Sequence, residues 1–134
     1  MLNAATYVDM AVTGRPASNT PGETVRKTAE ALGLRLPDDS HRLEAYGALG
    51  GFAVGLGLGV VVSVARSAGI RLPAPLGAAV IGGLAMAASD GGMTINGVTD
   101  PRQWTAADWL RDVIPHLAYG AGVHYALYRI DASP

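Results

Sequence analysis

Ala45 to Ala65 reads AYGALGGFAVGLGLGVVVSVA, twenty-one residues without a charge. Gly47, Gly51, Gly55 and Gly59 recur in it at a fixed step of four, and Ser63 and Ser67 continue the row. As a helix the stretch is about 30 Å long, the thickness of a bilayer's hydrocarbon core. A GxxxG row of this kind lets a second helix backbone approach closely. The glycines also set an energetic condition. Six of them in one soluble helix would cost roughly 5–6 kcal/mol relative to alanine. In hydrocarbon the alternative is unsatisfied backbone, so the helix persists, and close packing recovers part of the loss. A linker or a soluble core helix fits so long an uncharged run less well than a membrane span does.

The rest of the composition agrees. Of 134 residues, 49% are apolar and 16% charged, with a net charge of −1. A single short domain, residues 1–134, with three long apolar runs reads as a multi-pass membrane protein. No basic face is present, so nucleic acid is not an expected partner. The lack of cysteine excludes disulfides and thiolate metal sites. The first thirteen residues lack a basic region and contain Asp9, so no cleavable signal is expected.

Upstream of the glycine run, Leu2 to Thr13 reads as a short helix, a partial span or an interfacial segment. Gly14 to Asn19 breaks it. Thr20-Pro21-Gly22-Glu23 has the pattern of a capping box with proline at the first helical position. It opens an amphipathic helix over about 20–33, with Val25, Ala29 and Leu32 on one face and Gly33 as its stop. Pro37-Asp38-Asp39-Ser40 starts the glycine helix, a span over about 43–68.

Downstream, only a few residues separate Gly69 from Pro73, so the next span, 73–90, forms an antiparallel hairpin with the first. Its uncharged run, Leu72 to Ser89, is about 27 Å of helix. Ala78, Gly82 and Ala85 make a small-residue face, the expected mate of the glycine row. Asp90-Gly91-Gly92 is expected to end this span. Met93 to Gln103 follows as a loop in which a short strand pair is conceivable. Thr105-Ala106-Ala107-Asp108 resembles an N-terminal cap, Trp104 and Trp109 suit an interfacial belt, and a third span over 110–130 passes through Pro115. Segment 14–44 carries five Lys or Arg and loop 90–112 two more, against Arg66, Arg71 and Arg129, which places the larger loops in the cytoplasm.

Candidate chemistry is sparse. Gly55-Leu56-Gly57-Leu58-Gly59 lacks the spacing, the turn and the later acid of a dinucleotide loop, and the single lysine, Lys27, follows no glycine cluster. No cofactor is implied. Ionisable residues at membrane depth are the better candidates, because burying charge there is expensive. These are Asp9, Asp90, Asp112, His116 and His124. Asp112 and His116 are four apart and share a helix face. His124 lies about 12 Å further along the axis, too far for one metal ion, so no metal site is expected. The plainer reading makes the aspartates caps and the histidines hydrogen-bonding partners of neighbouring helices. Serine, histidine and aspartate are all present for a hydrolase, but nothing resembles a nucleophile elbow; no specific reaction is read, and a membrane enzyme acting on lipid or quinone near Asp112 and His116 ranks third among the function readings.

Tyr7-Val8-Asp9-Met10, Gly14-Arg15-Pro16-Ala17-Ser18, Thr20-Pro21, the glycine-rich spans and Ile114-Pro115-His116-Leu117-Ala118-Tyr119-Gly120 together resemble a group of small actinobacterial membrane proteins without assigned function. The resemblance covers most of the chain and implies a location, the bacterial plasma membrane, and no activity. The expected architecture is therefore an all-α membrane bundle with three spanning helices, a partial N-terminal helix and one amphipathic helix. The expected helix-packing residues are Gly47, Gly51, Gly55, Gly59 and Gly82. The expected intramembrane polar residues are Asp90, Asp112, His116 and His124. The expected partners are membrane lipid and either further copies of this chain or a larger complex. An accessory or assembly role is expected first, and an oligomeric transporter or channel lined by the His and Asp residues second.

Overall fold

The structure is a computed structural model that describes residues 2–14, 16 and 18–131. It is all-α, and no strand occurs among the described residues, so the strand pair conceived for the 93–103 loop does not form. The helices are α1 (Leu2–Thr13), α2 (Thr20–Ala31), α3 (Ser40–Ser67), α4 (Ala74–Ile95) and α5 (Ala106–Asp131), with a 3₁₀ turn at Pro101–Gln103.

Local chemistry explains most boundaries. Asp39 caps α3, its carboxylate accepting the Arg42 amide at 3.1 Å. Thr105 and Asp108 form a reciprocal box on α5. The Asp108 amide donates to Thr105 Oγ1 (3.2 Å), and Asp108 Oδ2 accepts from the Thr105 amide (3.0 Å) and hydroxyl (2.6 Å). Gly33, Gly69 and Gly97 follow α2, α3 and α4 at positive φ, where a Cβ would clash with the backbone.

Two expected boundaries are corrected. Thr20 is not the cap of α2 but its first residue, preceded by Asn19, and Glu23 turns its carboxylate to Arg26 instead of the backbone. Nor does Asp90-Gly91-Gly92 end α4, which runs through both glycines to Ile95. Glycine costs a helix only about 1 kcal/mol per residue and does not by itself stop one.

Two helices, α3 and α4, are long and apolar enough to cross a bilayer; α5, though 26 residues long, falls short by composition. The closest helix pair is α4–α5. A Cβ on Gly82 would lie 2.7 Å from His116 O, and one on Gly120 would lie 2.6 Å from Gly82 N and collide with Ala78 O. The expectation that the Ala78–Gly82 face mates with the glycine row of α3 is therefore corrected: that face is occupied by α5.

The glycine row itself is divided. Gly47 meets the Pro21–Gly22 backbone of α2, with Pro21 C 2.6 Å from a built Cβ. Gly55 lies 3.6 Å on the same measure from the Tyr119 ring of α5. Gly51 and Gly59 have nothing within 4 Å. Two long side chains bridge α3 to α5: the Tyr119 hydroxyl donates to Gly55 O (2.6 Å), and Arg66 binds Asp131 Oδ2 (2.6 and 3.1 Å). Both bridges join residues 64 to 65 apart, so α3 and α5 run in the same direction and Asp112 lies level with Gly47 and Ala48. From α2, Lys27 reaches Gly97 O (3.0 Å) and Thr28 accepts from Asn96 (3.2 Å), tying α2 to the end of α4.

The burial pattern is inverted relative to a water-soluble domain. Among the described residues the buried apolar side chains are Ala29, Ile81 and Ala85, while Arg66, Asp90 and His116 are buried as well. The large apolar side chains point outward: Leu49, Phe52, Leu56 (73% exposed), Val60 and Val64 on α3, and Leu110, Ile114, Leu117 and Ile130 on α5.

Candidate functional site

The four expected polar residues do not form one group. Asp90, Asp112 and His116 come together where the far end of α4 meets the start of α5, joined by Ser89. His124 lies two turns beyond His116, its ring against Gly77 of α4 and beside Ala74, Ala78, Ala121, Tyr125 and Tyr128. Between the two histidines the α4 and α5 backbones touch at Gly82 and Gly120, and no water column fits along the seam there. The Asp9 side chain lies outside the described residues.

Helix periodicity places the group. His116, Gly120 and His124 follow at steps of four on α5, so the row facing α4 is large, small, large. A helical side chain leans toward its own N-terminus, which carries the His116 ring away from the Gly82 crossing and toward Ser89. His116 Nδ1 lies 2.8 Å from Asp112 O and 3.4 Å from Asp112 Oδ1. A carbonyl oxygen only accepts, so Nδ1 carries the proton. In neutral imidazole Nε2 is then an acceptor, 3.2 Å from Ser89 Oγ. Ser89 Oγ is also 3.1 Å from both Ala85 O and Met86 O and 3.4 Å from Asp90 Oδ1, with one hydroxyl proton to give.

Ser89, His116 and Asp112 thus adopt the order of a hydrolytic triad, but the arrangement lacks the other half of such a site. Ser89 is inside α4, where neighbouring amides are committed to the helix ladder, so no donor pair is free to stabilise an oxyanion. What the site can do is hold or pass protons and cations. Asp90 is 7% and His116 6% exposed, and Oδ2 of both Asp90 and Asp112 is shut from water without a hydrogen-bond partner. Pro115 adds to the local polarity, since it has no N–H to give the Arg111 carbonyl.

Ser89, Gly120, Tyr119 and Arg66 are functional or packing residues that sequence reasoning passed over. Gly120 was readable from its place midway between two histidines at steps of four. Ser89 carried no signal of its own. Comparison with protein-family models, with curated proteins and with solved structures gave no match.

Proposed function

We propose that this chain is a three-span membrane protein of the bacterial plasma membrane that acts as an assembly subunit, associating through α3 with further copies of itself or with a larger complex. One observation carries this reading: apolar side chains cover the outside while Arg66, Asp90 and His116 are turned inward. In water that arrangement forfeits the hydrophobic driving force; in lipid it is the expected one. The same pattern supports α5 as the third span. The residues that lower its apolar character, Asp112, His116 and His124, lie against α4, and Leu110, Ile114 and Leu117 face outward.

The assembly role rests on α3. None of the residues in its most apolar 18-residue window is buried. Gly51 and Gly59 stand open on it at GxxxG spacing through Gly55, and α5 touches it through long side chains alone. A helix that keeps costly glycines and leaves them open inside one chain is explained by a partner that fills them. Gentle detergent extraction followed by native mass measurement tests this. The expected result is a defined oligomer or complex that Gly51→Leu or Gly59→Leu dissociates while Gly83→Leu, also open but on α4, does not. A monomer indifferent to all three substitutions overturns the reading.

A second reading, an oligomeric transporter or channel, is favoured by the buried unpartnered carboxylate oxygens. The tight Gly82–Gly120 crossing means its path would run between copies and not along the α4–α5 seam. Proton or ion flux in vesicles containing the purified protein distinguishes it from assembly alone.

A further inference from the structure

We propose that Asp90 and Asp112 bind one exchangeable proton between their carboxyl groups, making the α4–α5 seam a proton-binding site. Their carboxyls interact across the seam, one from each helix, inside one buried group: Asp90 Oδ1 lies 3.4 Å from Ser89 Oγ, Ser89 Oγ lies 3.2 Å from His116 Nε2, and Asp112 Oδ1 lies 3.4 Å from His116 Nδ1. Oδ2 of each is buried and lacks a donor. An ionised carboxylate only accepts, so two of them face to face leave both inner oxygens unsatisfied, at a cost of kcal/mol order for each buried group. A single proton turns one group into a donor and satisfies both at once, as in other carboxyl pairs that share a site.

Among the described residues no other group supplies that donor. On α5, His116 Nδ1 lies 2.8 Å from Asp112 O and 3.4 Å from Asp112 Oδ1, and its Nε2 faces Ser89, so it partners neither Oδ2. On α4, the one Ser89 hydroxyl proton is contested among four acceptors. On α2, Arg26 is bound to Glu23 and Glu30, and Lys27 to Gly97 O. At the start of α3, Arg42 pairs with Asp39; at the start of α5, Arg111 pairs with Asp108. Nor do the described residues bring three His, Asp or Glu side chains into metal-binding geometry here, which favours a proton over a metal ion. The site lies level with Gly47 and Ala48, about one helical turn inside the uncharged run of α3 that opens at Ala45. It is within reach of the surface carrying α2 and the 96–105 loop and is separated from the opposite surface by the Gly82–Gly120 crossing. Loss of the proton places two like charges in a seam where only His116, by taking up a proton of its own, can offset one of them, so the proton locks this end of the helix pair.

Infrared difference spectroscopy of the detergent-solubilised full chain during a pH titration tests the assignment on the wild type alone. A carboxylic C=O band is expected to persist at mildly acidic pH, above the ordinary carboxylate range, to shift in deuterium oxide, to be lost as the pH rises further, and to be absent there from both Asp90→Asn and Asp112→Asn. Stability gives a second readout. With more protons bound just above the ordinary carboxylate range in the folded state than in the unfolded chain, wild-type stability falls as the pH rises from that range through the titration of the pair. Asp90→Asn, whose amide donates permanently, should lose that dependence. Absence of a carboxylic band above the ordinary carboxylate range, or a band unchanged in both variants, overturns the proposal. So does stabilisation of the wild type, but not Asp90→Asn, by sodium or calcium at fixed pH, which would assign the site to a metal ion.

Discussion

Gly120 has the least room of any glycine on the α4–α5 seam. A methyl there would strike Ala78 O and lie 2.6 Å from Gly82 N, both backbone atoms that move only if the helices separate. Gly120→Ala should therefore destabilise the fold by about 1–3 kcal/mol through overpacking, although alanine is the better helix former. Gly57→Ala meets nothing within 4 Å and should be neutral or stabilising. Thermal unfolding of the two variants in detergent checks the contrast; equal effects would mean that the α4–α5 crossing is not close-packed. The glycine row of α3 was legible in the sequence because four glycines at a fixed step stand out. Gly120 was only partly so: it sits midway between His116 and His124, but YGAG holds Gly122 as well, and nothing in the sequence picks one of the two. Its meaning comes from Gly82 on the facing helix, and only the tertiary pairing supplies that.

The helix ends were more readable than the helix pairings. A cap is decided by three or four consecutive residues, and Thr105 to Asp108 forms the cap that its residue types imply. Thr105→Ala should lower stability by about 1 kcal/mol, seen as earlier thermal loss of helix. The Asp108 carboxyl is held below its ordinary range by hydrogen bonds from the Thr105 hydroxyl and amide. Its contribution is therefore present above the usual carboxylate range and lost as the pH falls through the lowered value. Asp108→Asn should remove that acid sensitivity. The start of α2 misled for the opposite reason: Thr20 and Glu23 match a capping box, but Arg26 one turn on is the stronger partner for the acid. Helix pairing depends on contacts far apart in the sequence, such as Ser89 with His116 and Gly82 with Gly120. The short 68–73 turn suggested that α3 and α4 pack tightly, yet the longer 96–105 connection joins the tight pair. At the other end, Arg66 and Asp131 fasten α3 to α5. Arg66 is 8% exposed while about a third of the Asp131 side chain remains in solvent, so Arg66→Ala should cost about 1–3 kcal/mol, less than a fully buried pair. Retention of wild-type stability in that variant would show that α3 is held by α2 and Tyr119 alone.

For the molecule as a whole, the proposed crossing of the membrane by α3, α4 and α5 is tested most sharply at α5. Composition alone separates it from them: Arg111, Asp112, His116, His124 and Arg129 lie level with the uncharged stretch of α3 from Gly47 to Ala65. Packing argues for crossing, because α5 runs level with α3 from Asp112 beside Ala48 to Asp131 beside Arg66, and the uncharged part of α3 spans that depth. The chain has no cysteine, so single cysteines report without background. Ser18→Cys and Gln103→Cys lie at the end that carries α2; Ser67→Cys and Ile130→Cys lie at the other, and all four positions are exposed. With an impermeant thiol reagent on intact cells, Ser18→Cys and Gln103→Cys should behave alike, and Ser67→Cys and Ile130→Cys should behave alike and oppositely. The distribution of Lys and Arg places the first pair inside, so the second pair should label. Labelling of the first pair with protection of the second reverses the orientation and leaves the three crossings intact. Ile130→Cys reporting with Gln103→Cys removes α5 as a span, and the inward-turned polar residues would then need an aqueous explanation. Ser18→Cys reporting opposite to Gln103→Cys would break the α3–α4 hairpin, and with it the depth assigned to the Asp90–Asp112 pair.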